Sequence, residues 1–343
     1  MTMRREHSAR LQPNRRDALR MLAVGSGAAL AWTLAGGGGS RVRAATRSRV
    51  LMGTGIQLQV LGEDPDAAAE AAEAALGRMA EIESLLSRYR SDSEVALLNT
   101  AGRVEHASGA LLDVLHLADR ISRIGEGAFD VTIQPVIDVY RSHLRRGLGL
   151  PHAASIDEAR ARVDHRAIRI QGTSVTLVRE DARVTLDGIG KGYIVDRGVE
   201  VLRRRGFGNV FVEAGGDLMA GGTSRRGDPW RIGIRNPRRQ LALQARFDTR
   251  DRAVATSGDY MQPFAPDYSQ HHILDPRTGY SAPELASSTV VASDAATADA
   301  LATLVMVLGP VRGRALLEDL PDCEGYLLTK NLEVVRTSGF GVA

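Results

Sequence analysis

The chain has few residues of two types that often build specialised sites. Cys323 is the only cysteine among the 343 residues, which excludes an internal disulfide and leaves no cysteine pair for tetrahedral zinc. Only two lysines accompany 42 arginines, so Lys191 stands out in its glycine-rich turn. The sequence contains no basic cluster interleaved with aromatic residues, and this argues against a nucleic-acid partner.

The first 45 residues differ from the rest in composition. Twin arginines in Asn14-Arg-Arg-Asp-Ala-Leu-Arg20 precede an apolar run over residues 21–35, and Val42-Arg-Ala44 offers the small residues that a signal peptidase reads. Because the run is too short to cross a membrane, we predict a twin-arginine export signal over residues 1–45 and a periplasmic protein. A retained leader would instead associate the protein with the inner membrane.

The net charge of +3 is unevenly distributed. Residues 1–45 hold eight arginines and two acidic residues, so the rest of the chain is net negative. The high pI therefore owes much to the leader and does not indicate a nucleic-acid partner. No internal repeat or second apolar span is visible, and we predict a single domain over residues 46–343.

Helical and strand-like periodicities are mixed along this domain. Apolar residues recur at helical spacing over residues 65–87, 108–124 and 188–205, and short strands are predicted between residues 209 and 248. Residues 174–178 and 183–186 predict a hairpin, whereas the charged residues 141–165 predict an exposed connection. Since strands and helices do not alternate strictly, the pattern predicts an α+β fold with mixed or antiparallel sheets and packed helices.

Two oxygen-bearing side chains interrupt an otherwise apolar helical segment. Asp299 and Thr303 lie four residues apart in Ala296-Thr-Ala-Asp-Ala-Leu-Ala-Thr303, and this spacing puts them on one helix face. Both are hard ligands that suit Mg²⁺ or Ca²⁺. The alternative is that Asp299 caps the helix or belongs to its first turn.

A loop upstream concentrates acid–base groups. His271-His-Ile-Leu-Asp-Pro-Arg-Thr-Gly279 contains two histidines and an acid within nine residues. His272 titrates near neutral pH and could take a proton from a hydroxyl group. The alternative is a structural turn in which Asp275 caps Arg277 and Thr278.

A glycine-rich turn, Thr185-Leu-Asp-Gly-Ile-Gly-Lys-Gly-Tyr193, joins a predicted strand to a helix. Its glycines allow close backbone approach, the helix N-terminus favours an anion, and Lys191 adds a positive charge. The turn matches neither the Walker nor the Rossmann pattern. Two more Gly-Asp segments are typical of turns that end strands: Ala214-Gly-Gly-Asp217 and Thr256-Ser-Gly-Asp259.

In their order along the chain, these segments resemble the FAD:protein FMN transferases of the ApbE family. The similarity covers nearly the whole predicted domain, from Met52 to about Gly309. The segments that carry it are Met52-Gly-Thr54, Leu86-Ser-Arg-Tyr-Arg-Ser-Asp-Ser93, Gly127-Ala-Phe-Asp-Val-Thr-Ile-Gln-Pro135, the turn at Lys191, Val212-Glu-Ala-Gly-Gly-Asp217, Trp230-Arg-Ile-Gly-Ile-Arg-Asn-Pro237, Ala255-Thr-Ser-Gly-Asp-Tyr260, His272-Ile-Leu-Asp-Pro276 and Ala298-Asp-Ala-Leu-Ala-Thr303.

The resemblance implies a T-fold-like α+β domain that binds FAD and Mg²⁺. It implies transfer of FMN from FAD, through a phosphodiester, to a Thr or Ser of an acceptor protein, with release of AMP. The expected acceptor is an exported or membrane-associated electron-transfer flavoprotein with a Ser/Thr-Gly-Ala-Thr-like segment. Two alternatives stay open: an FAD pyrophosphatase that yields FMN and AMP, and a non-catalytic periplasmic FAD carrier.

The resemblance also implies roles for individual residues. Asp299, Thr303 and a backbone carbonyl of the turn at Gly188 would hold the metal. His272 would take the proton of the acceptor hydroxyl, and Asp275 would orient it. The residues expected to contact FAD are Met52, Tyr89, Ala128, Phe129, Asp130, Thr185, Asp187, Lys191 and Ile273.

One segment departs from the family pattern. The family turn usually reads Asp-Leu-Gly-Gly-Ile-Ala-Lys-Gly, whereas here Thr185 takes the place of the acid and Asp187 brings an acid two residues later. The acid thus moves to the other side of a strand end, where it could contact the metal or a ribose. The variant resembles the NosX-like branch, whose members mature flavoproteins of nitrous-oxide reduction.

Overall fold

The computed structural model describes residues 42–341. Most of the predicted export signal therefore lies outside the described residues. Strand β1 begins at Arg43, so the predicted boundary after residue 45 falls within a strand.

Among the described residues, the chain forms thirteen strands and seven α-helices. The strands are β1 (Arg43–Leu51), β2 (Thr54–Gly62), β3 (Arg103–Val104), β4 (Ile168–Gln171), β5 (Ser174–Leu177), β6 (Val210–Ala214), β7 (Asp217–Gly221), β8 (Trp230–Asn236), β9 (Arg239–Thr249), β10 (Arg252–Gly258), β11 (Leu285–Ala292), β12 (Glu324–Thr329) and β13 (Val334–Arg336). The helices are α1 (Pro65–Leu86), α2 (Glu94–Ala101), α3 (Gly109–Ile124), α4 (Gln134–Arg145), α5 (Ala153–Arg160), α6 (Gly190–Arg204) and α7 (Ala295–Asp319).

An eight-stranded antiparallel sheet organises the molecule. Its strands follow the order β1-β2-β6-β7-β10-β11-β12-β13, and each neighbouring pair is antiparallel. A three-stranded sheet (β3-β5-β4) and a two-stranded ribbon (β8-β9) complete the strands. Antiparallel sheets packed with helices confirm the predicted α+β class.

Helices cover one face of the large sheet. Helix α6 packs on both α1 and α7, and all three pack on the strands of the sheet. Their apolar residues join the main core. By length and composition α7 could cross a membrane, but more than half of its most apolar part is buried within the protein. The apolar side chains of α7 therefore serve the core of this domain.

The opposite face of the sheet has its own apolar cluster. Phe211 and Trp230 pack as a tilted pair with ring centroids 5.2 Å apart, and the indole N–H of Trp230 donates to the carbonyl of Gly221 at 2.8 Å. The ribbon β8-β9 covers this face with Ile232, Ile234 and Phe247. Both faces of the sheet are thus buried at its central strands β6, β7 and β11.

Two local predictions were wrong. The segment 141–165 is not one irregular connection, because α4 continues to Arg145 and α5 follows it. Residues 174–178 and 183–186 do not form a hairpin, since β5 pairs with β4 and β3. Val184 is held by a side chain instead: the amide of Asn99 accepts from its N–H at 2.6 Å and donates to its carbonyl at 2.8 Å.

Asp259 directly follows β10, and its carboxylate is buried. It is fully buried, and Arg238 donates to its two oxygens at 2.7 and 2.8 Å. The ammonium of Lys330 also donates to it, at 2.6 Å. The turn predicted from this Gly-Asp segment therefore connects three distant parts of the chain.

We expect Asp259→Ala to lower the free energy of unfolding by on the order of 3 kcal/mol, because two partly buried cations lose their counter-ion. Urea unfolding of the wild type and the variant measures the difference. Asp248→Ala is the control: its pair with Arg231 is exposed, so its loss should cost below about 0.5 kcal/mol. Equal losses in the two variants would contradict a structural role for Asp259.

Candidate active site

A cavity of about 300 Å³ opens between the helical layer and the loops that flank β10 and β11. It brings together every predicted site residue except Asp275: Met52, Tyr89, Ala128, Phe129, Asp130, Thr185, Asp187, Gly188, Lys191, His272, Ile273, Asp299 and Thr303 all line it. These residues come from segments spread over more than 250 positions of the chain. Their convergence identifies one site, which the motifs alone could only suggest.

Close packing of two helix N-termini positions Asp299. A Cβ atom on Gly192 would lie only 2.0 Å from the carbonyl oxygen of Ala295, so glycine is required where α6 meets α7. The N–H of Gly192 donates to a carboxylate oxygen of Asp299 at 3.1 Å. The second glycine of the Gly-Lys-Gly segment thus lets the start of α6 reach the acid on α7.

Asp299 is not the cap of its helix. Asp294 is the N-cap of α7 and accepts from the N–H of Thr297 at 2.8 Å. Asp196 accepts from the next two free N–H groups, those of Ala295 and Ala296. Since the helix end is satisfied by these two acids, the capping alternative fails for Asp299, which is 3% exposed.

Hard oxygen atoms gather beside Asp299. The hydroxyl groups of Thr303 and Ser257 are 3.1 Å apart. A Cβ atom on Gly188 would lie 3.1 Å from the Thr303 hydroxyl oxygen, so the backbone of Gly188 approaches Thr303 closely. A carboxylate, a hydroxyl and a nearby backbone segment fit a hard divalent cation.

Lys191 supplies positive charge to two buried acids. Its ammonium forms an ion pair with Asp217 and lies 3.6 Å from a carboxylate oxygen of Asp299. Burial would lower the pKa of Lys191, but the two carboxylates outweigh it and raise that pKa. Burial raises the pKa of the Asp217 carboxyl to about 7, and the nearby Asp299 adds to this shift. The two acids therefore stabilise the charged ammonium form of Lys191.

The two adjacent histidines have different surroundings. His271 is fully buried; one ring nitrogen is 2.9 Å from the carbonyl of Ala282, and the other accepts from the N–H of Ile273. His272 lines the cavity, and its buried Nδ1 has no hydrogen-bond partner in the described chain. Burial, followed by the charge of His271, lowers the pKa of His272 to about 4. His272 is therefore neutral at pH 7 and able to accept a proton.

Asp275 lies in a local turn and does not orient His272. Its carboxylate accepts from the side chain of Arg277 at 2.8 and 2.9 Å and from the Arg277 N–H at 2.9 Å. Its carbonyl accepts from the N–H groups of Thr278 and Gly279. The structure therefore contradicts the predicted partnership of Asp275 with His272 and favours the alternative of a structural turn.

Two predicted FAD residues also have structural partners. Asp130 accepts from the N–H and hydroxyl of Thr132 and from the N–H of His165, so its carboxylate fixes this part of the cavity wall. Met52 has a left-handed backbone, with φ of 53°, and its N–H donates to Glu83 at 3.0 Å. Both residues shape the cavity through these bonds.

The family model described as the ApbE family matches residues 52–327. The chain belongs to the ApbE family. It is 32% identical over 280 residues to the FAD:protein FMN transferase of Vibrio cholerae, covering 78% of this chain and 82% of that protein. It is 29% identical over 299 residues to the FAD:protein FMN transferase of Escherichia coli K12, covering 83% of this chain and 84% of that one.

Solved structures of ApbE proteins have the same fold. The flavin transferase ApbE from Vibrio cholerae superposes with a TM-score of 0.76 at 30% identity, covering 87% of this chain and 98% of that chain. The ApbE protein from Thermotoga maritima superposes with a TM-score of 0.78 at 28% identity, covering 86% and 97%. The predictions of the family and of a transferase enzyme are confirmed.

The acid that departs from the usual ApbE turn has a clear partner. Asp187 accepts three contacts from Arg88, at 3.1, 3.2 and 2.8 Å. Burial would raise the pKa of the Asp187 carboxyl, but the hydrogen bonds and charge of Arg88 outweigh it and lower that pKa. Thr185 lies beneath, and its hydroxyl accepts from the Asp187 N–H at 3.2 Å.

Three residues of this ApbE site were not singled out from the sequence. Arg88 and Arg141 line the cavity, and Asp217 joins Lys191 beneath it. Arg88 lies within a quoted family segment, and Asp217 ends a turn that was interpreted as structural. Arg141 lies in the segment that was predicted to be an exposed connection, so no sequence signal pointed to it.

Proposed function

We propose that this chain transfers FMN from FAD to a serine or threonine hydroxyl of an acceptor protein and releases AMP. The observation that carries the proposal is the shared cavity, in which neutral His272 and the oxygen set of Asp299 and Thr303 line one space. The curated relatives are named for transfer of FMN from FAD to protein. This name and the cavity support the same chemistry.

The proposed reaction joins a hydroxyl oxygen to the phosphorus of the FMN half. The bond from that phosphorus to the bridging oxygen breaks, and AMP leaves with the electron pair. His272 accepts the hydroxyl proton, which its low pKa allows because the ring is neutral at working pH. Its buried Nδ1 has no hydrogen-bond partner in the described residues, whereas both ring nitrogens of His271 contact the backbone.

The surrounding residues bind and orient the substrate. Phe129 and Ile273 offer apolar surface for a ring, and Met52 adds a polarizable thioether at the same wall. Lys191 keeps the charge of Asp217 and Asp299 compensated.

Asp299, Thr303 and the carbonyl of Gly188 are the residues that would hold Mg²⁺. No group of three or more His, Cys, Asp or Glu side chains suited to a metal occurs within residues 42–341, so such a site depends on hydroxyl and carbonyl oxygens beside Asp299. When bound, Mg²⁺ would neutralise the negative charge of the diphosphate oxygens.

We further propose that the protein acts in the periplasm after export by the twin-arginine route. The twin arginines and the apolar run that follows them support this location. The acceptor would then be an exported or membrane-associated flavoprotein with a Ser/Thr-Gly-Ala-Thr-like segment.

Intact mass spectrometry of an acceptor tests the function. The purified protein is incubated with FAD, Mg²⁺ and a domain carrying a Ser/Thr-Gly-Ala-Thr segment. An FMN phosphodiester on the acceptor, together with AMP, is the expected result. Release of FMN and AMP beside an unlabelled acceptor would support the pyrophosphatase instead, and tight FAD binding without cleavage would support a carrier.

The low pKa of His272 predicts how the rate of transfer depends on pH. An unshifted histidine is half protonated near pH 6.5, whereas His272, with a pKa of about 4, stays neutral well below that. We expect the single-turnover rate of transfer to stay within about twofold between pH 8 and pH 5. FAD affinity at each pH is the control. Because the pKa of Asp217 is about 7, the same profile is measured on Asp217→Asn; a rate that halves near pH 6.5 in both proteins while binding is unchanged would contradict His272 as the base.

A further inference from the structure

Two arginines line the cavity without a role in the chemistry described so far. The side chain of Arg88 is 10% exposed and that of Arg141 is 22% exposed. Most other arginine pairs of this protein lie on the surface, such as Arg90 with Asp92. Guanidinium groups bind carboxylate and phosphate groups through two parallel hydrogen bonds.

These two cations share one close carboxylate. Arg88 binds Asp187 through three contacts, whereas Arg141 lies 3.8 Å from the same carboxylate. The hydrogen bonds of Arg141 go to neutral groups, at 3.3 Å to the Tyr89 hydroxyl and 3.4 Å to the amide oxygen of Gln262. The trio of Arg88, Arg141 and Asp187 therefore carries an excess positive charge.

Two further groups lie near Arg88. Asp138 acts on Arg88 through its negative charge, but its carboxylate accepts its hydrogen bond from Gln134 at 2.6 Å and not from the guanidinium group. Arg88 also lies over the Tyr89 ring, 4.2 Å from the centroid, and this stacking holds the guanidinium plane without neutralising it.

The trio lies at the end of the cavity where the phosphates would react. Asp187 precedes Gly188, whose backbone approaches Thr303. The charge of Asp187 acts on Lys191, Asp299 and His272. A dinucleotide whose diphosphate reaches Asp299 and His272 would therefore pass the two guanidinium groups.

We propose that Arg88 and Arg141 form the recognition pair for the phosphoryl groups of the dinucleotide, and that Asp187 is the internal counter-ion that these groups displace. The inference rests on the proposed function and adds a specificity device to it. Without substrate, Asp187 keeps Arg88 compensated and in place. With substrate, phosphate oxygens take over the N–H groups that now point at Asp187 and at the neutral partners of Arg141.

Substitution of either arginine and substitution of Asp187 are expected to change FAD affinity in opposite directions. Arg141→Gln and Arg88→Gln each remove a charged donor, so each should weaken FAD binding about tenfold. Asp187→Asn removes the competing charge and keeps the size of the side chain, so it should strengthen FAD binding severalfold. Riboflavin, which lacks phosphate, should bind the wild type and all three variants equally within about twofold.

Isothermal titration of the purified protein with FAD and with riboflavin, in chelator so that no turnover occurs, measures these affinities. Arg90→Gln is the matched control, since Arg90 is an exposed arginine two residues from Arg88 and does not line the cavity; it should leave both affinities unchanged. If Arg88→Gln folds poorly by circular dichroism, Arg141→Gln and Asp187→Asn still test the inference.

The outcomes separate this inference from the proposed function. Unchanged FAD affinity in Arg141→Gln and Arg88→Gln would overturn the recognition pair while leaving an FAD-binding transferase intact. Weaker FAD binding in Asp187→Asn would overturn its role as a displaced counter-ion, because a merely structural acid gives that sign. Failure of the wild type to bind FAD or riboflavin would overturn both proposals.

Discussion

Asp299→Ala is expected to reduce metal-dependent flavin transfer to below about 1% of the wild-type rate, since a charge-neutralising metal contributes several kcal/mol to such reactions. Asp299 is buried, and its helix end is already capped by Asp294 and Asp196, so its carboxylate is available for a ligand role. Single-turnover transfer to an acceptor domain, measured across a range of Mg²⁺ concentrations, determines the loss.

The variant should remain folded, which makes the result interpretable. Lys191 keeps Asp217 as its ion-pair partner when Asp299 is lost, and the cavity left by the change borders open space. Asp294→Ala is the control from the same helix: it removes the N-cap at a cost of about 1 kcal/mol but should keep the Mg²⁺ dependence. Near-normal transfer by Asp299→Ala would refute the metal assignment.

His272→Ala is expected to slow transfer by about 10²-fold or more, as the loss of a general base does, while FAD affinity stays close to that of the wild type. The expected split follows from the structure, because His272 is neutral in the cavity wall and its Nδ1 is buried without a partner in the described chain. FAD titration and single-turnover transfer on the same preparation separate binding from chemistry.

The neighbouring histidine gives the matched control. His271→Gln should lower stability, because both ring nitrogens of His271 contact the backbone, yet the rate per folded molecule should persist. If His272→Ala loses FAD binding in proportion to its rate, His272 is a binding residue. If both variants lose rate equally while still binding FAD, the loop as a whole, and not His272, sets the rate.

Residue spacing alone predicts part of this site. Asp299 and Thr303 share a helix face at a four-residue interval, and the structure brings both to one cavity. The adjacency of His271 and His272 was equally visible, but their environments were not. His271 is fixed by a contact between its ring and the carbonyl of Ala282, which lies beyond the next turn of the chain. The local sequence does not show this contact.

Other features depend on contacts that leave no local pattern. Asp187 and Arg88 are 99 residues apart in sequence, so a departure from the family turn could be seen while its partner could not. Asp275 was misassigned for the opposite reason: Arg277, two residues away, takes its carboxylate. The strand predicted over residues 183–186 failed because an asparagine side chain satisfies Val184 in place of a strand.

The ammonium of Lys191 means that folding and metal acquisition are separable events. Two deeply buried carboxylates would repel each other and resist desolvation if a divalent ion were their only counter-charge. Here the chain carries its own monovalent substitute between them. Many small metal-dependent domains reach their native state only when the ion arrives; here Lys191 lets the chain fold before the proposed Mg²⁺ is bound.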